Sequence, residues 1–302
     1  MKAVVLPEYG EANRLEVRDL PEPTPGPNEI KVRVAAAGIN PIDWKLRSGA
    51  FKAYRPLTFP AVLGRDVSGE VVAVGPGVIA FKVGTRVLGF VDHGYAAFVV
   101  APVDAWAEVP AGLELIDAAA LPLVSLTGAQ LVEAAGIREG DAVLVTGATG
   151  AVGRVAVFIA RSRGAKVFAG VRRNHKADAA TLGADVVVAL DDEQEIAKLP
   201  PLDALADTVG GATTQQLLGK LKAGGRIGSV VGEPAGAKER GFAVQAFSTH
   251  RDPKRLAELA ASAAAGKLIV PLAKRFPFSQ AGAAHALAEK GGVGKVLLLP
   301  DR

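Results

Sequence analysis

Apolar and polar positions along this chain fall into two regimes. Over roughly the first 115 residues, short apolar or alternating runs at 3–6, 29–36, 66–74, 86–91 and 96–101 predict strands. Gly- and Pro-rich turns separate them, such as P-E-P-T-P-G-P at 21–27 and G-P-G at 75–77. The four prolines at 21, 23, 25 and 27 stiffen an extended loop. Near residue 117 the pattern changes. Strand-like runs at 141–145, 166–171, 185–190, 202–209 and 226–231 alternate with Ala-rich helical runs at 150–163, 174–182, 213–221 and 253–264. That alternation predicts βαβ units on a parallel sheet. The tail differs again: F-P-F at 276–278, a short helix at 279–289 and a strand at 295–299 do not extend the alternation cleanly. It is expected to return to the first domain, giving domains of 1–117 with 266–302, and 118–265.

Composition narrows the class. Hydrophobic residues at 49% allow a large core, and 22% charged residues exclude a disordered chain. The net charge of +4, with no Lys/Arg block, is small for a nucleic-acid binder. The chain has no cysteine, which excludes disulfides, thiolate catalysis and Cys-based zinc sites. The apolar start before Pro7 is too short for a signal peptide. The uncharged apolar-rich stretch at 118–132, which holds Pro122, Ser125, Thr127 and Gln130, falls short of a membrane span. The reading expects a soluble, cytoplasmic protein with no membrane partner.

The sharpest signal is V-T-G-A-T-G-A-V-G-R at 145–154. A strand ends at Gly147, and a helix follows at once. This is the strand–turn–helix context of a dinucleotide fingerprint, here A-x-G-x-x-G with Ala148 in place of its first glycine. Gly150 lets backbone approach a pyrophosphate and Gly153 lets the helix pack on the strand. The N–H groups around Ala151 and Val152 face the phosphates. At the end of the second strand an NAD enzyme usually carries Asp or Glu for the ribose 2′-hydroxyl. This chain has Arg172, Arg173, His175 and Lys176 there. Guanidinium and ammonium groups suit a 2′-phosphate, so the expected cofactor is NADP(H).

With these motifs in place, the chain resembles the zinc-independent quinone oxidoreductases (zeta-crystallin-like) of the medium-chain dehydrogenase/reductase superfamily. The resemblance rests on M-K-A-V-V-L at the start, G-I-N-P-I-D at 38–43, R-S-G at 47–49 and G-R-D-V-S-G-E-V at 64–71. It continues through A-A-A-L-P-L-V-S-L-T-G-A at 118–129, G-A-T-G-A-V-G at 147–153 and V-G-K-V-L-L near the end. It implies an α/β protein with a GroES-like β-rich catalytic domain and a Rossmann doubly wound parallel-sheet domain, most simply as a homodimer. Zinc-dependent relatives carry G-H-E-x-x-G; here Arg65 stands in the histidine's place, and guanidinium has no lone pair for a metal. The chain is slightly short for the family around 91–95 and 232–242.

The implied activity is NADPH-dependent, metal-independent hydride transfer to a small-molecule quinone or activated enone. The resemblance nominates Asn40 and Thr127 beside the nicotinamide. Asp43, one helical turn from Asn40, is either catalytic or a capping carboxylate. Tyr54 is either a proton donor or a cleft-wall aromatic, with Phe51 where relatives often have Tyr. Val209, Val231 and Gly232 end strands where such sheets bind ligands. Phe247 and Ser248, in A-F-S-T at 246–249, offer backbone to the nicotinamide, and Lys295 either reaches the cleft or lies at the surface. Two alternatives stand beside this reading: an enoyl-thioester or acrylate-type reductase, and a non-catalytic NADPH-binding protein. A short-chain reductase is excluded, because no Tyr is followed four residues later by Lys.

Overall fold

A computed structural model describes residues 1–301. The chain divides into two compact units, Met1–Leu123 with the segment from Arg251 onward, and Val124–His250. The division differs from the expected one at both joints. Residues 118–123 and the Pro253–Ala264 helix belong with the first unit. That helix buries Leu256, Leu259 and Ala260, a one-sided apolar face that periodicity alone assigns to no particular sheet.

The second unit is built on a six-stranded, wholly parallel sheet. Its strands in chain order are Ala142–Thr146, Lys166–Val171, Val186–Ala189, Leu202–Asp207, Leu221–Ser229 and Ala243–Ala246. Counted within this unit, they lie in the order 3-2-1-4-5-6. That is the doubly wound order whose switch point lies between strands one and four. The central strands are largely apolar, as burial of both faces of a parallel sheet demands, with Asp203 and Asp207 the two charged exceptions. One expectation shifts: the helix expected at 213–221 is Gly211–Leu217, and the fifth strand begins at Leu221. Leu221 pairs with Leu202, and a bulge carries the chain past Gly224 and Gly225 into regular register at Arg226.

The first unit holds a three-stranded sheet and a seven-stranded one. Its spine is Glu29–Gly38, which pairs antiparallel with Asp66–Val74 along its length and with Phe98–Pro102 near its start. At its far end Gly38 and Ala37 pair with Leu297 and Leu298 of the Lys295–Leu299 strand. The tail thus closes onto the spine. Just beyond Gly38 the short helix Pro41–Arg47 begins, with Pro41 in its first turn, where a missing N–H costs nothing. The core of this unit includes Val32, Val67, Val87, Tyr95, Trp106 and Phe278.

Candidate functional site

The turn after the first strand of the parallel sheet has the backbone that its glycines allow. Gly147 adopts φ +59°, and a Cβ there would lie 2.4 Å from Thr208 Oγ1. A Cβ on Gly153 would lie 2.2 Å from the Gly147 carbonyl oxygen, so the helix Ala151–Ser162 sits hard against the turn. Gly150 differs. Its φ of −67° is ordinary, and its only near neighbour would be the Gly147 oxygen at 3.1 Å. Gly150 caps the helix with no side-chain hydrogen bond, and the first turn carries no acidic residue. The leading N–H groups of Ala151, Val152 and Gly153 are therefore uncapped, with the positive end of the helix dipole behind them. These residues fit a dinucleotide diphosphate.

A buried carboxylate holds the neighbouring strand end. Asp207 Oδ1 accepts from Thr146 Oγ1 at 2.8 Å and from the N–H groups of Val209 and Gly210 at 3.1 Å each. Its Oδ2 accepts from Thr214 Oγ1 at 2.9 Å. Thr208 ties back to Thr146 through two further bonds, N–H to Oγ1 and Oγ1 to carbonyl. The carboxyl ends of strands one and four are thus locked at the switch point. Sequence reasoning missed Asp207; its signal was an acid ending the apolar run L-D-A-L-A-D. Val209 and Val231, at the ends of strands four and five, are 49% and 44% exposed. They offer an apolar surface beside the turn. Gly232 follows with φ +103°.

Thr127 and the 246–249 segment come together. Thr127 Oγ1 lies 2.7 Å from Thr249 Oγ1, and Gln130 exchanges two hydrogen bonds with the His250 backbone. Phe247 N–H donates to the Ser229 carbonyl, while Ser248 is exposed. The helix Pro122–Ala134 thereby fixes the segment that follows the last strand.

Of the basic residues after Val171, two are already paired. The Arg173 guanidinium bonds Asp192, and Lys176 Nζ donates to both oxygens of Glu195 at 2.7 and 2.9 Å. An Ala189 N–H and the Lys176 ammonium hold the Glu195 carboxyl below its ordinary value. Arg172 is exposed, its carbonyl accepts from the His175 N–H, and its guanidinium has no hydrogen-bonded or ionic partner among the described residues.

In the first unit the structure gathers Asn40, Asp43 and Lys295 with two residues that sequence reasoning did not nominate, Asp66 and Tyr95. Lys295 is buried: it is 5% exposed, and its Nζ donates to Asn40 Oδ1 at 2.7 Å, Asp66 Oδ2 at 3.0 Å and the Ile39 carbonyl at 3.1 Å. The tail strand's pairing with the spine carries it there. Asn40 Nδ2 donates to Asp66 Oδ2 at 2.8 Å, and Asp66 Oδ1 accepts from the Leu123 N–H at 2.7 Å. Asn40 is buried and its amide is engaged on both sides.

Asp43 caps the Pro41–Arg47 helix, its Oδ2 accepting from the Asn40 N–H and from Tyr95 Oη, each at 2.8 Å. Burial pushes its carboxyl up to about 6 against those two donors, and the nearby Asp66 adds to the rise. Burial and the facing Asp43 push the Tyr95 phenol well above its ordinary value. Tyr95 packs edge-on against His285, which burial and then the Arg47 charge push down to about 3, so the imidazole is neutral. The phenol in this cluster is Tyr95. Tyr54 is 90% exposed and its phenol has no partner among the described residues, so the structure does not bring it to Asn40 and Asp43.

Taken together, an uncapped glycine turn at the switch point of a doubly wound sheet, in a chain that also carries a β-rich unit of the GroES-like kind, defines a nicotinamide-dependent oxidoreductase. Two family models match, an alcohol dehydrogenase GroES-like domain over residues 26–110 and a zinc-binding dehydrogenase over residues 182–298. The chloroplast envelope quinone oxidoreductase homolog of Arabidopsis thaliana is 38% identical over 189 residues, covering 59% of this chain and 57% of that protein. The matched stretch thus spans little more than half of that relative's length. The quinone oxidoreductase of Rattus norvegicus is 30% identical over 324 residues, covering 99% of this chain and 98% of that protein. The solved quinone oxidoreductase from Coxiella burnetii superposes with a TM-score of 0.90 at 31% identity, covering 99% of each chain. The chain belongs to the quinone oxidoreductase family of medium-chain dehydrogenases/reductases.

The second model's description implies zinc, and the residues here do not fit it. Arg65 has no lone pair to give, the chain has no cysteine, and the cation already bonded to Asn40 and Asp66 is the Lys295 ammonium. Among the described residues no group of three or more His, Cys, Asp or Glu side chains could hold a metal ion. Among the same residues, no helix is long and apolar enough to cross a membrane.

Proposed function

We propose that this chain reduces a conjugated small-molecule acceptor, a quinone or an activated enone, with NADPH and without a metal. The observation that carries the cofactor choice is Arg172. It is an unpaired guanidinium at the end of the second strand, where an NAD enzyme would hold a carboxylate. Arg173 and Lys176 stand beside it, already turned toward Asp192 and Glu195. A 2′-phosphate accepts charge-assisted bonds from such a group, and a ribose hydroxyl gains far less from it.

The reduced nicotinamide, when bound, supplies a hydride. The chain's residues bind and orient. The N–H groups of Ala151, Val152 and Gly153 hold the diphosphate, Val209 and Val231 give apolar walls, and the 246–249 segment, fixed by Thr127 and Gln130, offers backbone groups to the nicotinamide end. The Asn40–Asp66–Lys295 and Asp43–Tyr95 bonds keep the Gly38–Pro41 corner rigid. A conjugated acceptor spreads the arriving negative charge onto its oxygen, so hydride transfer needs no Lewis acid.

The test is the Arg172→Glu/Arg173→Glu variant, assayed by cofactor titration and by NADPH oxidation with 1,4-benzoquinone, 9,10-phenanthrenequinone and short enones. NADPH binding should weaken by more than about tenfold relative to NADH, since a lost charge-assisted pair is worth about 1.5–3 kcal/mol. Equal losses for the two cofactors would remove the phosphate assignment. Turnover of crotonyl thioesters without quinones would replace the acceptor class.

A further inference from the structure

In the first unit three arginines converge on one carboxylate. Arg65 Nη1 lies 2.9 Å and Arg55 Nη2 3.0 Å from Asp92 Oδ1, and Arg251 Nη2 lies 4.0 Å from Asp92 Oδ2. Arg251 also faces Asp104 at 3.5 Å, a mostly exposed side chain. The group therefore holds three guanidinium charges against two carboxylates. Like charges pressed together are unfavourable unless an anion answers them.

The arginines are also positioned by the fold. Arg65 lies over the Phe90 ring, 4.6 Å from its centroid, and Arg251 Nε donates to the Phe90 carbonyl at 3.3 Å. The Val91 N–H donates to the Arg65 carbonyl. Arg65 is largely buried, and its Nε and Nη1 make no hydrogen bond of acceptable geometry, so Nη1 touches Asp92 by charge alone. Burial and the neighbouring Arg55 push its guanidinium below the ordinary value. Two carboxylates cannot satisfy three planar forks, each of which matches a bidentate oxyanion.

The cluster adjoins open space and the candidate site. A cleft of about 630 Å³ opens beside Arg55 and Asp92, with Pro60, Val62, His93 and Phe98 on its walls. Arg65 immediately precedes Asp66, whose carboxylate receives Asn40 and Lys295. Arg55 and Asp92 line that cleft, and Arg65 and Arg251 stand behind it through their contacts with Asp92, so an acceptor there meets apolar walls for its conjugated body and a cationic end.

We propose that Arg55, Arg65 and Arg251 form an anion-recognition site, and that the acceptor carries an oxyanion, a carboxylate or a phosphate, in addition to its conjugated carbonyl. This rests on the reductase reading given above. It explains why a histidine-to-arginine exchange in G-R-D-V-S-G keeps a polar, buried residue here: the position has gained a fixed cation.

The test compares matched acceptors that differ only in the anion. Full-length protein with NADPH is assayed on 4-oxopent-2-enoate against its methyl ester, and on crotonyl 4′-phosphopantetheine against crotonyl pantetheine. The charged member of at least one pair should show kcat/KM about tenfold or more above its neutral partner, as loss of one charge-assisted contact implies. The pair that responds identifies carboxylate or phosphate. In Arg55→Gln/Arg251→Gln, which spares the buried Arg65, that preference should fall to within about threefold of unity. Equal rates for both pairs in the wild type, or a preference that survives the double variant, overturns the proposal. If none of the four compounds oxidises NADPH, the reductase reading fails on its own. Calorimetric binding of 4-oxopent-2-enoate and its ester, in wild type and double variant, then decides the anion site: binding of the acid that the variant loses supports it, and equal binding of acid and ester overturns it.

Discussion

Lys295 Nζ donates to Asn40 Oδ1 across 2.7 Å, joining two residues 255 apart in sequence inside the first unit. The same ammonium reaches Asp66 at 3.0 Å, so a single buried cation fixes both an amide and a carboxylate. Lys295→Met leaves Asp66 buried without its counter-charge. Breaking one side of a buried pair costs about 3–5 kcal/mol. We expect a fall of that size in unfolding free energy, read from the denaturant midpoint. Lys295→Met/Asp66→Leu should recover part of it, because no charge then remains unpaired. A single variant within about 0.5 kcal/mol of wild type, the range of ordinary surface changes, would show that the ammonium is not structural.

Asp43 gives the first unit a definite response to pH. Its folded value of about 6 lies above the ordinary 3.8 because burial outweighs its two hydrogen bonds. The folded state therefore binds the proton more tightly than the unfolded chain. Its contribution is fully favourable below the unfolded value and is lost as pH rises from about 4 to about 6. The loss is at most about 3 kcal/mol, at about 1.4 kcal/mol per pH unit. Asp203 and Glu195, whose values are lowered, act in the opposite direction across acid pH. The measurement is therefore a difference: unfolding free energy of wild type minus Asp43→Asn, from pH 4 to 7. That difference should fall with rising pH across this window. A flat difference would mean Asp43 titrates as it does in water.

Much of this architecture was legible in the sequence, and its gaps have physical reasons. The parallel sheet was readable because its strands are buried on both faces and so run apolar without interruption, as in Ala142–Thr146. The glycine turn was readable because Gly147 and Gly153 each meet a backbone or side-chain limit that a Cβ would breach. Asn40 and Asp43 were found through the G-I-N-P-I-D motif. Tyr95, Asp66 and Asp207 were not, because each acts through a partner 26 to 61 residues away in sequence, a distance at which no local spacing speaks. Lys295 was located, but its burial depended on the tail strand pairing at Gly38, which periodicity does not encode. The Pro253–Ala264 helix continued the alternation in sequence while packing with the first unit.

Gly150 and Gly153 should separate ligand binding from packing. A Cβ on Gly153 would press into backbone at 2.2 and 2.8 Å, which only a shift of the helix relieves. Gly153→Ala is expected to cost about 1–3 kcal/mol, as overpacking does. Gly150→Ala meets a single oxygen at 3.1 Å and needs no unusual φ, so folding should change by less than about 1 kcal/mol. Its methyl group instead occupies the approach to the uncapped N–H groups, and dinucleotide affinity should fall about tenfold or more. Thermal unfolding and cofactor titration on the two variants check this. Equal binding losses at equal stability would deny the two glycines distinct roles.

Asp207 extends the argument from the turn to its support. Its carboxylate accepts four hydrogen bonds, two from threonine hydroxyls and two from backbone N–H groups, with no cation among them. Asp207→Ala strands those donors in a buried site, and unsatisfied groups there cost about 1–3 kcal/mol each before relaxation. Val209 N–H and Gly210 N–H would lose the anchor that holds the strand-four exit, and the Thr146 hydroxyl that receives the Thr208 N–H would lose its own acceptor. Because Gly147 packs against Thr208 and Val209, the cofactor turn loosens with them. The expected kinetic signature is a KM for the dinucleotide raised about tenfold while kcat at saturation changes less than about threefold, since uniform binding is lost rather than transition-state contact. Asp207→Asn keeps an acceptor for Thr146 but turns an N–H₂ toward one donor, and should fall between wild type and Asp207→Ala in both stability and KM. A kcat that falls as steeply as kcat/KM would place Asp207 in the chemistry itself, which its complete burial argues against.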